Sequence, residues 1–498
     1  MSPALKELIA VWGEYSDVTK ASAVLEWDQE TMLPPGGAPA RGTHLATLAG
    51  VAHETLVSQR FLSALTSAEK RDSGSVHEQA ILREARRAHD HAAKIPGDLV
   101  REIAKAQSVA LTAWKKARRT NRWREFAAQL ATIVRLKKRV AECVGYKDTP
   151  YDALIDEFEP GATVKELDPL LLELREATIP LVRKLRASRR RPNRRLVTGH
   201  FPKEQQLRFA RRTIEGFGFD FERGRIDLSA HPFCTSFDTA DVRLTVRVFE
   251  NDLRPALFGL MHEAGHGLYE QGIDPKLMRT PIGDSVSLGI HESQSRLWEN
   301  QVGRSRAYWK NRLPALRRAF PDALKGARLD DFYFAINEVR PSLIRVEADE
   351  VTYNLHIVLR YEIEKDLFTE RIRTSDLPEI WNRKMKELLG VVPPTDSDGV
   401  LQDIHWAMGL FGYFPTYSLG NLYAAQIFAR MRRALPDLDR RLERGDLEPL
   451  KEWLRKNIHK PGRIYTAKEL IRRVTKRDPS PAPFVSYVTE KFGELYGL

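Results

Sequence analysis

Between residues 98 and 143 the chain contains neither glycine nor proline. A glycine costs a helix interior about 1 kcal/mol and a proline about 3, so a run this long without either is written for helix rather than for loop. The same period recurs elsewhere. Leu5, Leu8, Ile9 and Trp12 fall at i, i+3, i+4 and i+7, one apolar stripe. Leu99, Ile103 and Val109 follow Pro96-Gly97-Asp98, where Asp98 is placed to cap a helix. Further helical segments are predicted over 164–190, 203–216, 310–327, 345–370, 420–435 and 463–475. No internal repeat and no linker long enough to separate domains interrupts them. The chain therefore reads as mainly α, with residues 1–498 in a single large domain.

One stretch departs from this period. In "DVRLTVRV" Val242, Leu244, Val246 and Val248 alternate with Arg243, Thr245 and Arg247, which is strand period. With "RIDLS" before it, residues 217–249 are expected to form a small antiparallel sheet of two or three strands. It ends directly before the helix expected to carry the most distinctive pentapeptide in the chain.

That pentapeptide is His262-Glu263-Ala264-Gly265-His266. Asn251 or Asp252 can cap a helix over about 252–271, Pro255 suits its first turn, and Gly272 is placed to end it. Leu253, Leu257, Leu260, Met261, Ala264 and Leu268 give that helix a broad apolar surface, so it is expected to be buried. His262 and His266 lie one helical turn apart on one face, at the reach two imidazoles need to share a cation. Glu263 is turned about 100° away, facing a water rather than a ligand position. Two buried histidines bonded to carbonyls would have the same spacing. Gly265 and Gly267 are poor helix formers, and their presence points to close packing of another backbone.

A catalytic zinc takes three protein ligands and leaves one position open. Glu292, on a second helix predicted over about 285–309, supplies the third at a separation that lets that helix fold back on the first. Ile290, Leu297 and Trp298 would bury it. His291 competes for the role, but adjacent helical residues point about 100° apart, so only one of the two can face the site. Many two-helix zinc peptidases carry an Asp four residues after the ligand Glu to hold a histidine. Here Arg296 stands at that position, so the partner has to come from elsewhere.

Composition narrows the setting. No stretch approaches the roughly 20 apolar residues of a membrane span, and "MSPALKELIAVWGEYSD" lacks the basic start and apolar run of a signal peptide. Cys143 and Cys234 are too few for a disulfide framework and are expected to be reduced, which together suggests cytoplasm. The net charge is +12, from 79 Lys+Arg against 67 Asp+Glu. Part of it lies in the Arg-rich run 183–196, which has no aromatic residue to stack on bases. It reads as a solvated loop, not a nucleic-acid site.

"HPF" (231–233), "DVRLT" (241–245), "HEAGH" (262–266) and "HESQS" (291–295) occur in the order and spacing of the carboxypeptidase Taq family. "LEWDQETMLPPGGAPAR" (25–41), "RVEADEVTYNLHI" (345–357), "LQDIHW" (401–406) and "GYFPTYSLGNLYAAQ" (412–426) are similar too, so the resemblance spans essentially the whole chain. It implies a metal-dependent exopeptidase that takes residues from peptide C-termini. The implied ligands are His262, His266 and Glu292, with Glu263 as general base. The implied fold is a helical domain with a deep active-site groove, similar to neurolysin and angiotensin-converting enzyme. The implied assembly is a homodimer. The implied cofactor is one divalent metal, zinc by default and cobalt in some relatives.

The resemblance also directs attention to a late His and Tyr as donors to the oxyanion: His405, with Tyr413 or Tyr417. A carboxypeptidase must hold a free carboxylate, for which Arg is suited by its planar fork. Arg243, on the strand face opposite the core, and Arg345 are the candidates, with Glu347, Asp349 and Glu350 as partners for them. Asp349 and His356 have an equally good structural reading. Two other readings share these residues: a neurolysin-like oligopeptidase or dipeptidase, and a basic helical binding protein with a non-catalytic metal site.

Overall fold

The computed structural model describes residues 1–70 and 74–498. It is mainly helical, with one small sheet, and the elements that build the site are numbered here in chain order. Helix α1, Pro3–Thr31, is capped by Ser2, whose side chain accepts from the Leu5 N–H. Strands β1 (Gly224–Leu228), β2 (Cys234–Asp238) and β3 (Asp241–Val246) come next. Helices α2 (Leu253–Gly272), α3 (Leu288–Arg296), α4 (Tyr353–Phe368) and α5 (Phe414–Ala434) complete the set.

The main buried cluster draws on residues from Ala110 to Tyr496. Most of α2, α4 and α5 lies inside it, so these helices are buried on nearly every side rather than along one stripe. A second cluster, built on Leu5, Leu8, Val11, Phe61 and Ile81, holds α1 to the helices that follow it.

The sheet is mixed, not antiparallel as the alternation suggested. β3 lies in the middle, antiparallel to β2 but parallel to β1, with Arg225 opposite Arg243. Alternation marks a strand without naming its partner. The tight turn after Asp238 makes β2 and β3 a hairpin, whereas residues 229–233 span one strand's width and leave a gap that β3 fills. Thr245 secures that crossing: its Oγ1 is 2.7 Å from Ser229 Oγ and accepts from the Phe233 N–H at 2.8 Å.

Several helix boundaries also differ. The glycine-free run 98–143 is two helices, Gly97–Thr120 and Arg124–Val144. Asn121 breaks it at φ 54°, the left-handed conformation that Asn adopts more readily than most residues. The segment expected over 285–309 is α3 followed by a π turn, Leu297–Val302, and then a new helix from Arg306 capped by Ser305. That last helix ends at Ala319, short of 327. Helix α4 starts eight residues later than periodicity alone suggested, because Asp349 accepts from the N–H groups of Arg340, Val351 and Thr352 and holds a loop there. In the run 183–196 the helix ends at Ala187. Beyond it, Arg190 and Arg191 donate to carbonyls at helix ends, and Arg194 pairs with the Glu338 side chain.

Candidate active site

Helix α2 starts where Asp252 caps it, accepting from the Arg254 N–H at 2.9 Å. Its crossing with α3 is a backbone contact. A Cβ on Gly265 would stand 2.5 Å from Ser295 Cα and 2.6 Å from Gln294 O, so only glycine permits this approach. Gly267 meets the side chains of Phe219 and Leu244 instead, against the sheet. On the other side of α3, Gly420 of α5 would place a Cβ 2.4 Å from Glu292 Cγ. Three glycines thus let the sheet, α2, α3 and α5 close around Glu292.

The result is a cluster. Ligand atoms of His262, His266 and Glu292 lie within 4.8 Å of one another, a convergence found in no other group among the described residues. Glu292 Oε2 is 3.5 Å from His262 Nε2 and 3.4 Å from His266 Nε2. Metal–ligand bonds of about 2.0–2.1 Å in a tetrahedron separate ligand atoms by about 3.3 Å, so the donor set fits a zinc-sized divalent cation. The other carboxylate oxygen is already engaged: Arg296 Nε donates to Glu292 Oε1 at 2.6 Å. Arg296 therefore turns Oε2 toward the histidines. Its own guanidinium lies 4.3 Å over the Tyr353 ring.

The partner missing from the expected Asp position is Glu299, in the π turn. Its Oε2 lies 3.0 Å from His262 Nδ1. Arg296 and Arg304 flank this carboxylate. Nothing local in the sequence marked Glu299, because its reach depends on the π turn. His266 is held differently. Its ring stacks on His291 at 4.3 Å and 13°, and His291 Nε2 bonds Glu270 Oε1 at 2.9 Å.

Burial sets the electrostatics. Burial works to lower the His262 pKa, but Glu292 and Glu299 overcome it and raise it to about 10. His266, buried and beside His291, is lowered to about 3. Burial works against both acids, yet Arg296 and His262 hold Glu292 well below the usual range, and His262 with the two arginines holds Glu299 at about 2. Glu263 is pushed up to about 7, by burial first and by Glu292 also, with His262 opposing.

The comparisons with known proteins decide the family. A family model described as carboxypeptidase Taq (M32) metallopeptidase matches residues 7–492. The chain belongs to this family. It is a metallocarboxypeptidase, a metal-dependent hydrolase of peptides. Among similar proteins is thermostable carboxypeptidase 1 of Thermus thermophilus, 42% identical over 99% of both chains. Carboxypeptidase 1 of Bacillus subtilis is 40% identical over 99% of both chains. The M32 carboxypeptidase of Deinococcus radiodurans has a solved structure that superposes with a TM-score of 0.97 at 38% identity, covering 100% of each chain. These relatives favour carboxypeptidase over the oligopeptidase and binding-protein readings.

The remaining sequence candidates of this carboxypeptidase fall on two sides. His405, Tyr413 and Tyr417 form one aromatic group. The His405 ring is 4.6 Å from Phe414 and 5.4 Å from Tyr413, which is 5.3 Å from Tyr417. Burial raises both tyrosines, Tyr417 the more strongly, and Glu292 adds to each shift, so both keep their protons at neutral pH. Burial lowers His405 to about 4 despite Asp403, so its ring is neutral.

Arg345 belongs to this group. It is buried, 5.0 Å from the Tyr417 ring, and donates to Asp403 Oδ1 at 2.8 Å and Tyr353 Oη at 3.1 Å. Arg360 donates to the other oxygen of Asp403 at 2.7 Å. Arg243 is elsewhere, at the sheet. Asp241 accepts two bonds from it, at 2.8 and 2.9 Å, and Trp27 of α1 covers it at 4.3 Å. Asp349 and Glu350, two of the acids expected to pair with these arginines, do other work. Asp349 caps a turn, and Glu350 forms a buried ion pair with Lys491 at 2.7 Å. Asp403, two residues before His405, is the carboxylate that the sequence reading missed. Fully buried His356 lies beside Arg360, whose Nη1 donates to the His356 carbonyl at 2.7 Å.

Proposed function

We propose that His262, His266 and Glu292 hold one divalent metal ion, zinc by default and cobalt as an alternative, and that Glu263 is the general base. The convergence of the three ligand atoms, with Glu292 Oε2 at 3.4–3.5 Å from both imidazoles, carries this reading. A divalent cation held there supplies Lewis acidity to the scissile carbonyl and acidifies the attacking water. Glu263 takes the proton from that water and passes it to the leaving amine. Glu299 and Arg296 keep His262 and Glu292 in orientation. Tyr413 or Tyr417, both protonated, and neutral His405 donate to the oxyanion.

Arg345 is the better candidate for the substrate's terminal carboxylate. Arg345 and Arg360 share the single carboxylate of Asp403, which leaves an excess positive charge in a buried aromatic setting. Contacts also link Arg345 through Tyr353 and Arg296 to Glu292. Arg243, already paired with Asp241 and covered by Trp27, is assigned instead to holding α1 against the sheet. In this reading residues 1–498 act as one domain around a single groove, in a cytoplasmic homodimer with peptides as its partners. Both cysteines are free, and no helix among the described residues is long and apolar enough to cross a membrane.

The test is a peptide and its C-terminally amidated twin, each incubated with and without a chelator. Release of single residues from the free acid only, abolished by chelation, is the expected result. Equal cleavage of the amidated twin would overturn carboxylate recognition.

A further inference from the structure

A metal-ligating histidine in a zinc site almost always has its ring plane set by a hydrogen bond that its other ring N–H, facing away from the ion, donates to a carboxylate, carbonyl or water. His262 follows this rule through Glu299. His266 does not. Its Nδ1 is buried and has no protein acceptor within hydrogen-bonding distance among the described residues.

His266 has instead a parallel ring against its face. His291 lies 4.3 Å away, only 13° from coplanar orientation. His291 is fixed in turn at its far end by Glu270, one helical turn beyond His266 on α2, through a bond of 2.9 Å. The stack continues behind it. Tyr269 lies 5.5 Å from His291 at 31° and 5.0 Å from His459 at 30°. His459 Nε2 is 2.9 Å from Gln294 Oε1, which returns the column to α3. Gly272 makes room for it, since a Cβ there would stand 2.5 Å from His459 Nδ1. The column therefore connects both metal helices and leaves His266 little freedom to swing. His262 meets His266 edge-on, at 83°, and closes its other side.

We propose that His291 is a positioning residue for His266: its stacked ring sets the imidazole plane that a hydrogen bond sets in His262. The inference rests on the reading of His266 as a metal ligand and adds to it the residue that orients that ligand. It also gives His291 a role that its neighbour Glu292, as ligand, denies it. Stacking rather than charge does the work, so an uncharged aromatic ring should substitute.

The experiment measures zinc dissociation constants by chelator competition, and the visible spectrum of the cobalt-loaded protein, for His291→Ala, His291→Phe, Glu270→Gln and His266→Ala. Circular dichroism of the metal-free variants confirms that each is folded. His291→Ala is expected to weaken zinc by about 10–100-fold, the range for groups that orient ligands, and to alter the cobalt spectrum. His291→Phe keeps the ring and is expected to stay within about threefold of the parent, on the same scale. Glu270→Gln, which can still accept a bond, follows His291→Phe. Parent-like affinity and spectrum in His291→Ala would overturn the proposal. So would a His291→Phe variant as weak as His291→Ala, since the ring alone would then not suffice. Retention of tight zinc by His266→Ala is the separate outcome that removes the ligand reading itself.

Discussion

His262 and Glu299 meet at 3.0 Å between Nδ1 and Oε2, across 37 residues of chain. The carboxylate belongs to a π turn that follows α3, and Arg296 bridges it to Glu292, at 3.4 and 2.6 Å. A π turn takes up more residues per turn than an α-helix and is frequent at functional sites. Glu299→Gln is therefore expected to lower metal affinity by about 10–100-fold while the metal-free protein keeps its fold. Chelator competition measures it, and unchanged affinity would remove Glu299 from this role.

Glu263→Gln is expected to keep bound metal and lose turnover by at least about 100-fold, the lower end for a general base. Metal content by elemental analysis and a single-turnover assay separate the two effects. Loss of metal along with activity would place Glu263 among the ligands instead.

Arg345→Ala is expected to reduce kcat/KM on free-acid peptides by about 100-fold or more, in line with removal of a charged partner worth about 3 kcal/mol. The loss falls on the free acid, so the acid-to-amide rate ratio drops toward one. A variant that keeps that ratio would point to another arginine, with Arg243→Ala as the comparison.

Gly265→Ala forces a methyl against the α3 backbone at 2.5 Å. Backbone cannot move aside as a flexible side chain can, so the two metal helices must separate. A loss of about 1–3 kcal/mol in stability is expected, together with weaker zinc, read by thermal unfolding and chelator competition. Gly259→Ala, on the same helix with open space around its Cβ, is the control and should be neutral or better.

Two buried acids away from the metal predict a pH dependence. Glu159 accepts from the Gly289 N–H at 3.0 Å and Tyr423 Oη at 3.1 Å; Glu364 accepts from Tyr151, Trp406 and the Gly412 N–H at 2.6–2.9 Å. Burial raises each from 4.5 to about 7, with these donors opposing. Between those values the folded chain holds protons that the unfolded chain has released. Stability from these groups is present below pH 4.5 and is lost as pH rises to about 7, on the order of 3 kcal/mol for each. At pH 6 the parent should release about one proton more on unfolding than Glu364→Gln, seen as a difference in the buffer dependence of the unfolding enthalpy. An identical proton balance in the two proteins would refute the assignment.

Much of this molecule could be read from spacing alone. The 3.6-residue period placed His262 and His266 on one face, and the observed α2 begins and ends within a residue of the range expected for it. The two-residue period put Val242, Leu244 and Val246 in the core and Arg243 opposite them. Glu292 was singled out because two histidines on one helix call for a third ligand within reach of a turn.

Partners across the fold could not be read in that way. Glu299, Asp403 and Glu270 are ordinary acids in sequence, and they matter because helix packing brings them to His262, Arg345 and His291. The parallel pairing of β1 with β3 and the break at Asn121 belong to the same class. Local sequence determines which way a side chain points from its own helix or strand, since that follows from backbone geometry. What it meets, and whether water is excluded there, depends on how the helices pack, and so the convergence of His262, His266 and Glu292 was legible while the carboxylates and stacked rings around them were not.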